Sequence, residues 1–309
     1  MTRFVIRRLL SLIPTLFLII TFAFIIVRVA PGGPFASEKK LPPEIMANIL
    51  KKYHLDEPLP KQYLRYLNEI LHGDLGPSFR YKDYSVNELI GQALPASMLL
   101  GFLSLVVALA LGLSVGIISS LKQNSWVDYS AMSLAVIGIS VPLFVIGPVI
   151  KLILAIKLKW LPTSGWLGGR NGILVLIMPI ITLSFPYFAS IARLMRSSML
   201  EVLRSDYVRT ARAKGLKEST VVLKHVLKGA MLPVISYLGP AFAGIITGTV
   251  VVETIFTIPG LGRFYIQAAT NRDYTLIMGD VIVFSVILVL MNFLVDIIYG
   301  FLDPRISYK

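Results

Sequence analysis

Cysteine is absent from all 309 residues. That excludes disulfides, thiolate catalysis and Cys-ligated metals, and it leaves the redox compartment open. Charge is sparse as well, with Asp, Glu, Lys and Arg at 15%, where soluble domains carry about 25%. Histidine occurs three times, at His54, His72 and His225. The three are too scattered to share one metal, and no His-Glu-x-x-His pair exists. No Gly-x-x-x-x-Gly-Lys-Ser/Thr phosphate loop is present, since Pro259-Gly-Leu-Gly262 lacks the following Lys. Nothing brings a serine, a histidine and an acid together in one place. The chain shows no catalytic set, no metal site and no cofactor site, and its expected role is not enzymatic.

What it has instead is apolar length. Hydrophobic residues make up 55% and the mean hydropathy is +0.75. Six stretches are long enough to cross a hydrocarbon core of about 30 Å: residues 6–27, 95–121, 130–156, 173–194, 230–256 and 274–302. The expected fold class is all-α integral membrane with six transmembrane helices. The first stretch begins like a signal peptide, with Arg3, Arg7 and Arg8, but no small-residue cleavage site follows it. It reads as a retained span. An even number of spans puts both termini on one side, and the three arginines place that side in the cytoplasm.

The net charge of +13 would suit nucleic acid. The basic residues nevertheless sit in loops that flank apolar spans, which the positive-inside bias explains more simply. No nucleic-acid partner is expected; membrane lipid is. The densest loop carries nine Lys/Arg between Arg193 and Lys228 against three acids, Glu201, Asp206 and Glu218. It is expected in the cytoplasm. Ser205 is placed to cap a short helix there, Asp206 suits its positive end, and Arg212 and Lys214 suit its negative end. Gly215 stands where a left-handed residue ends a helix. A second helix from Ser219 to Lys228 would complete an elbow leading into span five. Such an elbow can carry a push from a cytoplasmic partner into the membrane, although a loop that only satisfies topology remains the plainer alternative.

Residues 31–93 form the one large insertion, on the opposite side. Its charges balance, eight Lys/Arg against eight Asp/Glu. Pro42-Pro43 can open a helix with Ile45, Ile49 and Tyr53 on one face, a second is expected near 60–72 with Gly73 as its stop, and Ser85-Val-Asn-Glu88 reads as the capping box of a third. A compact cover without chemistry and a docking surface for an outer partner both fit.

Within the spans, Lys151, Glu253, Asp280 and Asp296 are costly unless paired or wet. Lys151 and Asp280 fall in the outer halves of their spans, where they could pair. Asp296 falls near Arg305 and the basic loop, and Glu253 one turn inside the outer boundary of span five. All lie away from the midplane, which favours structural or gating roles over ion coupling.

The run from Tyr207 through Arg209, Thr210, Ala211, Arg212, Ala213 and Lys214 to Gly215, followed by Lys224-His-Val-Leu and Ala230-Met-Leu-Pro233, resembles the EAA loop of ABC-importer permeases. It is most similar to the peptide-transporter branch. Arg209-Thr210-Ala211 stands where the general pattern has Glu-Ala-Ala, and the interval from Gly215 to Leu232-Pro233 is longer than usual. Further matches are Ile13-Pro-Thr-Leu-Phe17 with Pro31-Gly32, Gly73-Asp-Leu-Gly-Pro-Ser78, Val252-Glu-Thr-Ile-Phe256 and the closing Leu302-Asp-Pro-Arg305. Leu41-Pro-Pro-Glu44, Tyr81-Lys-Asp-Tyr84 and Asn271-Arg-Asp-Tyr274 point to the B-type permease of Gram-negative oligopeptide importers.

The resemblance implies a type I, MetI-like permease fold in a bacterial inner membrane and half of a translocation path. It implies a second related permease, two cytoplasmic ATPase subunits that bind the ATP, and a periplasmic peptide-binding protein. It divides the chain into residues 1–94 (first span plus helical insertion), a five-span core at 95–302 with the coupling loop at about 193–228, and a cytoplasmic tail at 303–309. Asp206 to Gly215 would be the coupling helix. Ser140, Ser184, Thr247, Gly248 and Asn292 are the candidates for lining the path. Related permeases carry dipeptides, murein peptides or nickel, so cargo stays open within the family. An ion-coupled carrier would need a matching pair of broken spans in the two halves, and the sequence shows none.

Overall fold

The computed structural model describes residues 2–29, 43–169 and 172–302, with the side chains at 2–5, 43, 45–46, 246–248 and 299–302 outside the description. The sequence readings at Pro31-Gly32, Pro42-Pro43, Ile45, Arg305 and the tail at 303–309 therefore fall outside it. Every regular element among the described residues is a helix.

The chain opens with α1 (Thr2–Val29), an apolar helix that runs through Pro14. Much of it is unpartnered, with Ile13 and Ile26 each about two-thirds exposed, as expected of a surface facing lipid. The insertion contributes α2 (Pro43–Lys52) and α3 (Leu59–Leu71). Gly73, at φ +76°, stops the second as its sequence position predicts. The Ser85 capping box forms: Ser85 Oγ accepts from the Glu88 N–H at 3.2 Å, and Glu88 Oε2 accepts from the Ser85 N–H at 2.8 Å. It does not open a third insertion helix. It opens α4 (Val86–Leu121), a 36-residue helix that passes through Pro95 without ending. At 1.5 Å per residue that is about 54 Å, far beyond a hydrocarbon core.

The expected third span is broken. α5 (Trp126–Ser140) and α6 (Leu143–Ile150) meet at 112°, and α6 continues as a π-helical turn over Lys151–Lys157. Pro142 supplies the cause, because it has no N–H and pushes the preceding residue out of the helical region. Val141 is accordingly extended, at φ −91° and ψ 122°. α7 (Leu174–Leu203) follows, and it absorbs Pro179 and Pro186 without breaking.

The basic segment contains α8 (Asp206–Ala213), α9 (Glu218–Thr220), a π-helical turn at Val221–Val226 and α10 (Leu227–Ala230). α11 (Leu232–Phe256) starts at the proline-marked break after Met231. A helix absent from the sequence reading comes next, α12 (Leu261–Asn271), and α13 (Tyr274–Leu302) closes the described chain. Among the described residues four helices are long and apolar enough to cross a membrane, and three bent pairs bring the possible crossings to as many as seven.

α4 and α7 make the most extensive pairing. Two glycines of α4 permit it: a Cβ at Gly112 would stand 2.8 Å from Ile191, and one at Gly116 would stand 2.7 Å from the Ala192 carbonyl. Small residues at such crossings let membrane helices approach closely. Around this seam lies a core of Ala189, Ile191, Ala192, Met195 and Met199, which continues without interruption into Val208, Ala211, Val221 and Val226 of the basic segment. At the opposite end, α1, α3 and α13 bury Phe24, Tyr66, Phe79 and Tyr274 together.

Candidate coupling surface and its supports

α8 is amphipathic on a small scale. Val208 is fully buried and Ala211 nearly so, and the three-residue spacing puts both on one face. They join the core that contains Val221, Val222 and Val226. Asp206, Tyr207, Arg209, Thr210, Arg212, Ala213, Lys214 and Gly215 are all exposed. Of the nine residues expected at the coupling surface, only Ala211 faces inward, as an anchor. Ser205 occupies the N-cap with extended backbone, yet its hydroxyl makes no cap. It donates instead to the Val202 carbonyl at 2.7 Å, which fastens the end of α7.

Gly215 turns the corner at φ +75°, and its N–H returns to the Arg212 carbonyl at 2.9 Å. Nothing lies within 4 Å of a Cβ built there, so the glycine answers a backbone need and not a packing one. Across the corner Arg212 forks onto Glu218, Nη2 to Oε1 at 2.6 Å and Nε to Oε2 at 3.1 Å. Each holds the other's charge: Glu218 is drawn below, and Arg212 above, its ordinary range by this hydrogen-bonded pairing. Farther along the segment Lys224 and Lys228 are exposed, with His225 half-buried between them.

There is a second polar assembly that the sequence reading did not single out. Asp128, 1% exposed, accepts from Arg196 Nε at 2.6 Å and Nη2 at 2.7 Å, from Ser119 Oγ and from the Asn124 N–H at 2.9 Å. One carboxylate thereby joins α4, α5 and α7. A bidentate guanidinium–carboxylate pair is the arrangement that tolerates burial best.

The far end has its own knots. Glu253, 1% exposed, accepts from Ser97 Oγ at 2.6 Å and from the Gly262 N–H at 2.9 Å, while Ser97 Oγ accepts from the Leu261 N–H at 2.8 Å. The start of α12 is thus pinned to α4 and α11. A Cβ at Gly260 would run into the Glu253 carboxylate, so the Pro259-Gly-Leu-Gly262 stretch is shaped by this knot. Asp273, fully buried, accepts from Ser78 Oγ at 2.5 Å and from the N–H groups of Phe79 and Leu276 at 3.2 Å each. It fastens the insertion to the start of α13.

The Lys151–Asp280 pair does not form. Lys151 Nζ donates to the Ile255 carbonyl at 2.9 Å and lies 5.8 Å from the Phe256 ring centre, neutralising the C-terminal end of α11. Both Asp280 carboxylate oxygens are buried without a hydrogen-bond partner. Asp296 pairs with Arg8 at 3.3 Å, tying α13 to α1.

Among the path candidates, Ser140 is exposed beside the α5–α6 break. Ser184 is buried and donates to the Ile181 carbonyl at 3.1 Å. Asn292 approaches Gly239 of α11 so closely that a Cβ there would meet its Oδ1 at 2.5 Å. The side chain of Thr247 and the surroundings of Gly248 fall outside the description.

Comparison with known proteins gives this architecture a class. Residues 108–308 match the family described as binding-protein-dependent transport system inner membrane component, and residues 1–98 match the N-terminal membrane component of the same systems. The chain belongs to this family of ABC-importer permeases, which are transport components and not enzymes. Within it, the chain is 51% identical over 308 residues to the oligopeptide transport system permease protein OppB of Haemophilus influenzae and 50% identical to that of Escherichia coli K12, with 100% of each chain covered. It is 42% identical over 307 residues to the dipeptide transport system permease protein DppB of Bacillus subtilis, covering 99% of this chain and 98% of the other. In fold it is similar to the inward-facing MetNI methionine ABC transporter, at TM-score 0.58 and 19% identity over 70% of this chain and 96% of that one.

Proposed function

We propose that this chain is the permease subunit of an ATP-driven oligopeptide importer and forms half of its translocation path. The full-length similarity to two OppB proteins supports the cargo. The observation that carries the mechanism is the exposed α8, seated by Val208 and Ala211 on a core continuous with α7. A push on α8 meets packed side chains and no slack, so it passes into α7 through Met195 and Met199 and into α11 through α10. In this reading Asp206, Tyr207, Arg209, Thr210, Arg212, Ala213 and Lys214 meet one of two cytoplasmic ATPase subunits, which bind the nucleotide. Basic side chains on such a rim steer approach more than they add affinity.

The assembly contains a second related permease, and a periplasmic peptide-binding protein delivers cargo to the insertion side. Both termini are cytoplasmic, with six crossings by α1, α4, α5–α6, α7, α11 and α13, and α12 lies at the outer end. Ser140, Ser184, Thr247, Gly248 and Asn292 are the proposed polar and small positions along the path, and Lys151, Glu253, Asp280 and Asp296 hold or gate the spans. Full-length similarity to DppB makes dipeptides the second reading of the cargo.

Affinity purification of the tagged chain from its own membranes tests the assembly. Recovery of two ATPases and another permease is the expected result, and recovery of the chain alone sinks the assignment. Uptake of labelled tetrapeptide and dipeptide in cells with and without the chain separates the two cargoes.

A further inference from the structure

The insertion end holds a cavity of about 100 Å³, with several polar side chains in its wall, that none of the foregoing uses. It lies where the last turn of α1, the middle of α3 and the first turn of α13 meet, walled by Arg28, Gln62, Tyr66, Glu69 and Thr275 among others. Three of those side chains carry a buried polar atom with no hydrogen-bond partner: Arg28 Nε, Gln62 Oε1 and Tyr66 Oη. Only three further such atoms occur among the described residues, on Ser104 and Asp280. Gln62 and Tyr66 are 8% and 7% exposed. Buried polar groups are paired as a rule, so three orphans around one space call for an occupant.

Their chemistry defines it. The Gln62 amide nitrogen is committed to the carbonyls of Leu55 at 3.3 Å and Glu57 at 2.7 Å, which leaves Oε1 as a free acceptor. Arg65, also on the wall, is held by Glu57 at 2.8 and 2.9 Å, and Lys52 lies over the Tyr53 ring. Arg28 is steadied between the rings of Phe24 and Tyr274, 5.2 and 5.9 Å from their centres, with its Nε–H unspent. The lining thus offers two donors, Arg28 Nε–H and Tyr66 O–H, and an acceptor, Gln62 Oε1, together with Glu69 and His54. A water needs about 10–15 Å³ of such space, so a molecule several heavy atoms large fits.

We propose that this cavity binds a small molecule bearing a carboxylate next to an N–H donor, the chemistry of a free amino acid or of a peptide end. The carboxylate takes hydrogen bonds from Arg28 and Tyr66, and the nitrogen gives one to Gln62 Oε1 with Glu69 balancing its charge. The occupant would bolt the insertion to α1 from within. The site is separate from α8 and stands whatever the path carries.

Thermal unfolding of the purified full-length chain, followed by intrinsic fluorescence, tests it with four probes: glycine, alanyl-alanine, acetate and methylamine. Glycine or alanyl-alanine should raise the melting temperature saturably. Acetate and methylamine, each offering half of the pattern, should need roughly tenfold more. Saturation by glycine alone assigns a free amino acid, and saturation by alanyl-alanine alone assigns a peptide end. Tyr66→Phe, which removes one oxygen, and Arg28→Lys, which keeps the charge and loses Nε–H, should each weaken the response by about tenfold. No saturation with any probe, an equal response to acetate, or a response unchanged in both variants overturns the proposal and leaves the cavity to water.

Discussion

Arg196 and Asp128 meet through two parallel hydrogen bonds, 2.6 and 2.7 Å, between the last third of α7 and the first turn of α5. Asp128 also accepts from Ser119 of α4, so three helices depend on one carboxylate at the end of the bundle that carries α8. Removing one partner of a fully dry pair costs about 3–5 kcal/mol, because the other charge stays buried and alone. The Arg196 side chain is a quarter exposed, which discounts that range. Asp128→Asn and Arg196→Ala should each destabilise the chain by about 2–3 kcal/mol, read as earlier unfolding in detergent. Arg196→Lys should recover only part, since an ammonium cannot fork. Unchanged unfolding in all three would show that the clamp does not hold the helices.

Gly215 allows a sharper test of the coupling reading. A left-handed backbone costs an ordinary L residue roughly 1–2 kcal/mol, while asparagine tolerates it. Gly215→Val should therefore depress peptide uptake strongly with normal abundance in the membrane, and Gly215→Asn should keep most of it. Equal uptake by both would mean that the corner does not transmit the push.

Asp273 predicts how the insertion is attached. Asp273→Ala removes the acceptor of the Ser78 O–H and of the N–H groups of Phe79 and Leu276, at about 1–3 kcal/mol for each buried donor that finds no replacement. Trypsin should then cut faster at Lys82, while cleavage around α8 stays unchanged. Identical digestion patterns would remove Asp273 from this role.

The Arg212–Glu218 fork makes the elbow sensitive to acid. Glu218 titrates below its ordinary value of 4.5 because Arg212 hydrogen-bonds its charged form. Its contribution is complete above that ordinary value and is lost as the pH falls through the lowered one. Amide exchange around Gly215, corrected for intrinsic rates, should be flat from neutral pH down to about 5 and quicken below 4.5. In Arg212→Ala it should be fast throughout. A wild-type profile that stays flat under acid would contradict the fork.

The features legible from sequence were those with local causes. α1 and α13 followed from apolar length, and the Gly215 corner from a glycine after a basic helix end. The capping box at Ser85 was also legible, but its helix runs on through Pro95, because the proline lies beyond a first turn already secured and its neighbours Ala96 and Ser97 are buried against α11 and the start of α12. α12 escaped notice: Leu261–Asn271 is short and mixed in character, and it is held from outside, by Glu253 and Ser97 on its first N–H groups and by the burial of Leu261 and Ala268. Asp128 fell in a short loop between expected spans, so nothing local distinguished it from a solvated acid. Its partners, Ser119 and Arg196, are 9 and 68 residues away. The Lys151–Asp280 pairing is absent for a related reason. Matching depth does not place two side chains face to face, and the end of α11 lay closer to the lysine.

One consequence of the unbroken α4 concerns timing. Ser97, in the Glu253 knot, and Ser119, in the Asp128 clamp, stand on the same rod, 22 positions or about 33 Å apart. A stiff helix cannot slide at one end and stay at the other. The two fastenings are therefore in register like teeth on one key: a displacement large enough to release one must load the other within the same stroke.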